Sequence, residues 1–206
     1  MGKNQEIPDI IVSRLPKYLR ALNALREKGT TTNSKELSEF LGYSAAQIRK
    51  DFSQFGEFGK QGTGYNIDYL SEQIRGILNL DRDWKMILVG CGNIGHAIAR
   101  YSGFSEGGFH VVAAVDSNQE IIGEKLNDAV VIQDIADMKQ IIRDNEIRIA
   151  MLTVPASSAQ KVAEELVDCG IEAILTYAPA ILNLPERIKV EYSDPIVSLQ
   201  HITYYL

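Results

Sequence analysis

The chain has 206 residues and a formal net charge of −6, with 45% hydrophobic and 23% charged residues. This is the composition of one large or two small globular domains, and it excludes disordered and collagen-like chains. Its apolar stretches fall short of the ~20 residues that span a bilayer, and the polar start lacks the apolar run of a signal peptide. We therefore expect a cytoplasmic protein without a membrane partner.

The two cysteines, Cys91 and Cys169, are too few for a disulfide framework. They do not form the C-x-x-C pair that is typical of zinc sites. We expect two reduced thiols and no bound metal.

The charge is unevenly distributed along the chain. Residues 1–65 carry ten Lys or Arg against seven Asp or Glu, a net charge of +3, and the remainder carries −9. An acidic chain is a poor candidate for nucleic-acid binding, because cations that neutralise phosphates supply most of that affinity. The basic first part removes this objection and indicates two domains with different partners.

A first helix is predicted over about 7–29. Leucines recur there at helical spacing, at Leu15, Leu19, Leu22 and Leu25. Pro16 places the start of the regular helix nearby, because an interior proline loses a hydrogen bond, and Gly29 suits the residue just past its end.

Two short helices follow, and their arrangement is typical of a helix-turn-helix. Capping boxes start them at Asn33 and Ser44, and Gly42 suits the tight turn between them. The predicted core of this motif is Leu37, Phe40, Leu41, Ile48 and Phe52. The outward face of the second helix carries Arg49, Lys50, Ser53 and Gln54, which favours DNA recognition in a major groove.

The next segment, 56–65, alternates four glycines with aromatic and polar residues, which predicts a β-ribbon, or wing, with Lys60 at its tip. A fourth helix is predicted from about Asp68. The polar stretch near Asp81 then marks a boundary, so we expect a winged-helix DNA-binding domain over residues 1–80.

The rest of the chain alternates strands with helices, the pattern of a parallel sheet covered by helices. We predict strands at 85–90, 110–115, 129–132, 147–153, 172–177 and 188–192, and helices near 93–102, 135–144 and 157–169. The fold class is therefore α/β, with a Rossmann-like domain over 84–192 behind the winged helix.

A glycine-rich loop directly after the first of these strands predicts a dinucleotide site. It reads Gly90-Cys91-Gly92-Asn93-Ile94-Gly95. In this motif the first glycine makes the turn, the second admits a pyrophosphate and the third lets helix pack on strand. Asp116 ends the next strand, 21 residues after Gly95, and with Ser117 it can meet an adenosine ribose. A carboxylate there repels a 2′-phosphate, so we favour NAD(H) over NADP(H).

Two later segments, Thr153-Val154-Pro155 and Tyr177-Ala178-Pro179, also follow strands. They would lie at the same carboxyl edge of the sheet, where ligands bind in such folds. Proline after a strand is equally typical of a plain loop, so both interpretations stay open.

Cys91 lies in the glycine loop at a helix start, a setting that can lower a thiol pKa. It is either an oxidation-sensitive thiol or a small residue tolerated in a tight turn. We expect no enzyme, because about 125 residues remain beyond the boundary and leave no room for a substrate domain. The Tyr-x-x-x-Lys pair of short-chain dehydrogenases is absent as well.

The last segment, 193–206, predicts an apolar helix from about residue 195. One face of it carries Ile196, Leu199, Ile202 and Leu206. Such a face needs a partner surface, either on its own domain or on a second subunit.

Taken together, these residues resemble the Rex family of redox-sensing transcriptional repressors over essentially the whole chain. The segments that carry the resemblance are Ser13-Arg14-Leu15-Pro16 with Tyr18-Leu19-Arg20, Gln47-Ile48-Arg49-Lys50-Asp51-Phe52-Ser53, Phe55-Gly56 to Gly64-Tyr65, Val89 to Gly95, Leu152 to Pro155 and Ala178-Pro179. The resemblance implies a homodimer that binds palindromic double-stranded operator DNA when NADH is scarce and releases it when NADH accumulates. It also implies that the terminal helix is swapped between protomers.

The resemblance assigns roles residue by residue. Arg20, Tyr101 and Asp194 match switch residues near the nicotinamide and the interdomain interface. The predicted DNA-binding residues are Arg14, Lys17, Ser44, Gln47, Arg49, Lys50, Ser53, Gln54, Lys60 and Gly62. The predicted cofactor-binding residues are Gly90, Cys91, Gly92, Asn93, Ile94, Gly95, Tyr101, Asp116, Ser117, Thr153, Val154, Pro155, Ala178 and Pro179. Two positions depart from the family pattern: Gln61 stands where arginine is usual, and Pro195 where some members have an aromatic residue.

Two other functions stay open. A small NAD-dependent enzyme fused to a helix-turn-helix is disfavoured by the winged segment. A regulator that responds to CoA is disfavoured by Asp116.

Overall fold

The computed structural model describes residues 7–56 and 64–206. The chain divides into two compact units, one that reaches to Arg82 and one from Asp83 to Leu206. In the first unit the elements are α1 (Asp9–Val12), α2 (Leu15–Arg26), β1 (Thr31–Thr32), α3 (Ser34–Leu41), α4 (Ala45–Phe52), β2 (Tyr65–Asn66) and α5 (Ile67–Ile77).

Caps at the predicted residues set the helix-turn-helix of α3 and α4. The Asn33 side chain accepts hydrogen bonds from the Lys35 and Glu36 amides, and Ser44 Oγ accepts one from the Gln47 amide. Gly42 ends α3 with a φ of 70°, a left-handed conformation that favours glycine. The turn between the helices is therefore confirmed.

One of the five residues predicted for the core of this motif is exposed rather than buried. Leu37, Ile48 and Phe52 are buried, and Leu41 packs against them, but Phe40 is 46% exposed. Leu37 and Leu41 lie four residues apart on one helical stripe, and Phe40 is turned away from it. The Lys28 ammonium lies 5.1 Å from the centre of the Phe40 ring instead.

The other elements of this unit follow the predictions with shifted bounds. Pro16 lies in the first turn of α2, and this helix ends at Arg26, three residues before Gly29. β1, which was not predicted, pairs antiparallel with β2. Two residues are too short to show a strand period. The predicted tip of the wing, with Lys60, Gln61 and Gly62, lies outside the described residues.

A buried carboxylate joins α2 to α4. Asp51 is 0% exposed and accepts four hydrogen bonds. Arg14 donates from Nε (2.6 Å) and Nη2 (2.7 Å), Tyr18 from its hydroxyl (2.5 Å) and Gln47 from Nε2 (2.7 Å). Burial alone would raise the pKa of the Asp51 carboxyl, but these donors outweigh it and hold the pKa below its usual value.

In the second unit the strands are β3 (Trp84–Val89), β4 (Phe109–Asp116), β5 (Ile132–Asp134), β6 (Ile149–Leu152), β7 (Ala173–Thr176) and β8 (Lys189–Tyr192). All are parallel, in the order β5-β4-β3-β6-β7-β8. Counted from the first strand of the unit, this is the 3-2-1-4-5-6 order of the Rossmann fold, which confirms the predicted fold class.

The helices of this unit are α6 (Asn93–Ala99), α7 (Ser102–Glu106), α8 (Met138–Asn145), α9 (Ala156–Asp168) and α10 (Pro195–Thr203). Ile87 and Val89 of β3 enter one apolar cluster, and Met86 and Leu88 enter another. The sheet is thus covered on both faces, as expected for buried parallel strands. The predicted helix 93–102 is two helices, because the chain ends α6 at Ala99 and restarts at Ser102.

The terminal helix α10 buries none of its residues. Its exposed apolar residues include Ile196 (58%), Leu199 (56%) and Ile202 (52%), and Leu206 beyond it is 99% exposed. Exchange of this helix between protomers stays a prediction. Within the described residues, no helix combines the length and apolarity that crossing a membrane requires.

We predict that Asp51→Ala lowers the free energy of unfolding of the first unit by about 3 kcal/mol or more, since it leaves the part-buried Arg14 guanidinium without its partner. The matched control is Asp68→Ala, which removes a solvent-exposed ion pair with Arg26 and should cost less than about 1 kcal/mol. Urea unfolding followed by amide exchange in α2 and α4 measures both. Equal losses would contradict the role of Asp51.

The same carboxylate makes this stability depend on pH. Because the pKa of Asp51 is lower in the folded state, its contribution is complete above the unfolded-state value of about 3.9 and is lost as the pH falls through the folded value. The wild type should therefore lose stability below about pH 4 more steeply than Asp51→Asn, which has no proton to gain.

Candidate functional site

A cleft of about 1010 Å³ opens at the carboxyl ends of β3, β4, β6 and β7. It lies where the strand order reverses between β3 and β6, the place at which ligands bind in doubly wound sheets. The predicted residues that line it are Gly90, Gly92, Asn93, Ile94, Asp116, Ser117, Thr153, Val154, Pro155 and Pro179. The topology has thus brought the ends of four strands to one site.

The three glycines of the loop are required for different reasons. Gly90 has a φ of +95°, and a Cβ on it would lie 2.9 Å from the Thr153 carbonyl. A Cβ on Gly95 would lie 2.3 Å from the Gly90 oxygen. Apart from its two chain neighbours, none of the described residues has an atom within 4 Å of a Cβ on Gly92. The fold therefore requires the outer two glycines, whereas the middle one faces open space in the cleft.

Thr153 closes the loop from the neighbouring strand. Its hydroxyl donates to the Gly90 carbonyl at 2.5 Å, and its amide donates to the Val89 carbonyl at 2.9 Å. Sequence reasoning proposed Thr153 as a cofactor residue only. Its contacts show that it also joins the end of β6 to the glycine loop.

Asp116 supports the same loop from the other side. One carboxylate oxygen accepts a hydrogen bond from the Cys91 amide at 2.6 Å, and the other accepts one from the Asn118 amide at 2.8 Å. A carboxylate has about four acceptor positions, so two amides leave capacity for ribose hydroxyls.

The Cys91 side chain points away from the cleft. It is 2% exposed, and burial, with the nearby Asp116 charge, raises the pKa of its thiol to about 12. The helix start does not lower the thiol pKa as the sequence allowed. A thiol that stays protonated at neutral pH is a poor nucleophile, so Cys91 is the small residue of a tight turn.

Several predicted cofactor residues lie outside the lining. Gly95 and Ala178 are buried behind the cleft. Tyr101 is 64% exposed beyond the end of α6, and its ring packs edge-on against Phe104 at 5.5 Å. Asp194 caps α10 by accepting a bond from the Ile196 amide, and Arg20 is exposed on α2. Within the second unit, Tyr101 and Asp194 thus do not line this cleft.

Sequence reasoning missed the part of the lining that comes from α9 and from the residues that follow β5. The missed residues include Ile135, Ala136, Ser158, Lys161, Val162 and Glu165, whereas Tyr177 lies in a segment that the sequence placed at this edge. Four of them recur at helical spacing along α9, directly after β6. Extending the strand-end rule into the following helix would have found them. Lys161 and Glu165 lie 3.7 Å apart as an ion pair.

In the first unit, the predicted DNA-binding residues divide into two groups. Arg49, Lys50, Ser53 and Gln54 are exposed along and just after α4, and Arg49 donates to Ser34 Oγ at 2.9 Å. Arg14 and Gln47 instead turn inward onto Asp51, because a buried carboxylate needs donors. Lys17 donates to the Tyr43 hydroxyl, and Ser44 caps α4. The exposed group is therefore more accessible to a DNA groove than the inward-turned group.

No three His, Cys, Asp or Glu side chains within the described residues gather in a way that could hold a metal ion.

We predict that Gly95→Ala lowers the stability of the second unit by about 3 kcal/mol, because the new Cβ meets a backbone oxygen. Gly92→Ala should cost no more than about 1 kcal/mol, since the position is the cap of α6 and the space is open. Thermal unfolding followed by the fluorescence of Trp84, the only tryptophan of the chain, compares them. The reverse order would contradict the geometry of the loop.

Comparison with known proteins gave two family models. One, described as a putative DNA-binding protein N-terminus, matches residues 6–53, and the other, a CoA binding domain, matches residues 81–180. The two matches fall on the two compact units.

Curated relatives match the whole chain. A redox-sensing transcriptional repressor Rex from Chloroflexus aurantiacus is 50% identical over 207 residues, which covers 100% of this chain and 97% of the relative. The Rex protein of Chloroflexus aggregans is 46% identical with the same coverage. That of Streptomyces coelicolor is 39% identical over 98% of this chain and 79% of its own length.

Solved structures agree with this result. The crystal structure of RSP with β-NAD⁺ and operator DNA has a TM-score of 0.91 at 35% identity, and covers 98% of this chain and 93% of RSP. The structure of RSP with β-NADH has a TM-score of 0.88 at 34% identity, and covers 98% of this chain and 95% of RSP. RSP is described as a Rex-family repressor. Identity of this order over the full chain shows that the protein belongs to the Rex family of redox-sensing transcriptional repressors.

Proposed function

We propose that the protein represses transcription by binding palindromic operator DNA through its first unit, and that NADH in the cleft of the second unit releases it. The observation that carries this proposal is the presence in one chain of a capped helix-turn-helix with exposed cations and a switch-point cleft behind a glycine loop. RSP, which has the same fold, was crystallised with operator DNA and with both redox states of NAD.

The cleft suits a dinucleotide. Gly92 faces open space where the family motif places a pyrophosphate, and Asp116 keeps acceptor capacity for a ribose. The loop from Gly90 to Gly95 would hold the phosphates, and Asp116 would hold the adenosine ribose and repel a 2′-phosphate. Bound NAD(H) supplies the redox signal, because its two forms differ by one hydride and one positive charge.

We propose a homodimer in the cytoplasm. A palindromic site presents two related half-sites, which two protomers related by a two-fold axis match. The unburied apolar residues of α10 support a contact with a second protomer. A repressor needs access to chromosomal DNA, and this need supports the cytoplasmic location. Arg20, Tyr101 and Asp194 stay our prediction for the switch that this dimer would contain.

We also propose that the protein is not an enzyme. Its relatives bear the names of repressors, and the sheet with its covering helices uses the residues after Asp83. A second candidate, a repressor that responds to CoA, is favoured by the CoA binding domain model over 81–180. CoA carries a phosphate on its adenosine ribose, and Asp116 disfavours such a group at the cleft.

The decisive experiment measures NADH affinity with and without operator. The probe is the duplex that the wild-type chain enriches from a randomised pool. We expect this duplex to weaken NADH binding by the same factor by which NADH weakens duplex binding, because coupling between two sites is reciprocal. A complete shift from the DNA-bound to the DNA-free form needs NADH to bind the second form about 10⁴-fold more tightly than the first.

Failure to enrich any duplex would overturn DNA binding, and an unchanged NADH affinity would overturn the switch. NAD⁺, NADPH and CoA are titrated in parallel, and release by CoA alone would establish the second candidate. Arg49→Ala should weaken duplex binding and leave NADH binding intact, with Lys189→Ala on β8 as a matched control that changes neither. Gly92→Ala should keep its fold and lose NADH affinity.

A further inference from the structure

One aromatic ring in the first unit contacts two cations. The Arg14 guanidinium carbon and the Lys17 ammonium each lie 5.8 Å from the centre of the Tyr43 ring. Lys17 Nζ also donates a hydrogen bond to the Tyr43 hydroxyl at 3.1 Å. That hydroxyl lies almost on the line from the ring centre to the ammonium, so Tyr43 contacts Lys17 at the edge of the ring, through its hydroxyl and not through its face.

The two cations differ in what balances their charge. Arg14 forms an ion pair with the buried Asp51 carboxylate through Nε and Nη2. Burial of the pair reduces solvent screening, so the Asp51 charge offsets that of Arg14. The net positive charge beside the ring is therefore that of Lys17, which is exposed.

The position of Lys17 is unfavourable for stability. It lies in the first turn of α2, which contains no acidic residue, and Arg14 caps the same end. The helix dipole makes that end positive, so a cation there is destabilising by about 0.3–1 kcal/mol. Functional sites are among the places where proteins break such local rules.

The ring itself is held by the core. Tyr43 packs edge-on against the buried Tyr18 ring at 6.2 Å, and Tyr18 donates to Asp51. Tyr43 also directly precedes Ser44, the cap of α4. Packing and sequence therefore place the Lys17 ammonium near the start of the helix that carries Arg49 and Lys50.

We infer that Tyr43 is a positioning residue that holds the Lys17 ammonium in place for a phosphate of the operator backbone. The inference rests on the proposed function and goes beyond it, because Tyr43 is in neither the predicted DNA-binding set nor the cleft. The role of the Tyr43 hydroxyl is to restrict the long Lys17 side chain before DNA arrives, so that less conformational freedom is lost on binding.

A double-mutant cycle tests this role in the full-length protein with the enriched duplex as probe. Lys17→Gln should weaken duplex binding and reduce the slope of log K against log salt by about one unit per protomer, the signature of one lost phosphate contact. Tyr43→Leu, which keeps an apolar side chain against Tyr18, should weaken binding about threefold. In the Lys17→Gln background the same change should have little effect, because the group that it positions is gone.

Tyr43→Phe separates the ring from the hydroxyl and keeps the core packing. It should weaken duplex binding about as much as Tyr43→Leu, because it removes the hydroxyl that contacts Lys17, and it replaces Tyr43→Leu in the cycle if that variant does not fold, as checked by amide exchange in α2 and α4. Tyr69→Leu, an exposed tyrosine on α5, is the matched control and should change neither affinity nor slope. NADH affinity should be unchanged in every variant.

An effect of Tyr43→Leu that is equal in both backgrounds would overturn the inference, because the tyrosine would then act without Lys17. An unchanged salt slope in Lys17→Gln would also overturn it. Both results leave wild-type duplex binding intact, so they differ from failure of the proposed function, in which the wild type itself enriches no duplex.

Discussion

The Gly90 carbonyl is the point on which the nucleotide-binding half of the molecule depends. Three chain segments meet there: the turn at Gly90 itself, the first turn of α6 at Gly95, and the hydroxyl of Thr153 from the end of β6. A Cβ at Gly90 or at Gly95 would meet backbone atoms, so neither glycine can be replaced without a shift in the backbone. The close approach determines where α6 starts, and therefore where the open side of Gly92 faces the cleft.

A buried carboxylate has the corresponding role in the other half. Asp51 takes donors from two helices, and an ionised group without such partners would be costly to bury. The need of Asp51 for hydrogen-bond donors also affects the outer surface of α4. Gln47 belongs to the helix that would enter a groove, yet its amide is committed inward, so recognition is left to the residues that follow it. The same carboxylate offsets Arg14 and leaves Lys17 as the cation beside Tyr43.

The sequence predicted what depends on short-range order and missed what depends on packing. Period and capping predicted the helix-turn-helix, and the glycine spacing with Asp116 predicted the nucleotide loop, because these signals are local. The burial of Asp51 and the exposure of Phe40 could not be predicted this way, since both depend on which stripes of α2, α3 and α4 face each other. At the break after α6, the Tyr101 ring lies against Gly103. A Cβ on Gly103 would lie 2.5 Å from that ring. The α9 residues of the cleft could have been found by extending the strand-end rule into the helix that follows β6.

The unburied face of α10 has a further consequence for regulation. Each large apolar side chain gains about 1.5–3 kcal/mol when it is removed from water, so a chain that keeps Ile196, Leu199 and Leu206 exposed has a strong thermodynamic reason to associate. Association of this kind follows mass action and so depends on how much of the protein is present. The number of copies in a cell would then act as a second input beside the nucleotide, setting how many chains are assembled and able to respond at all.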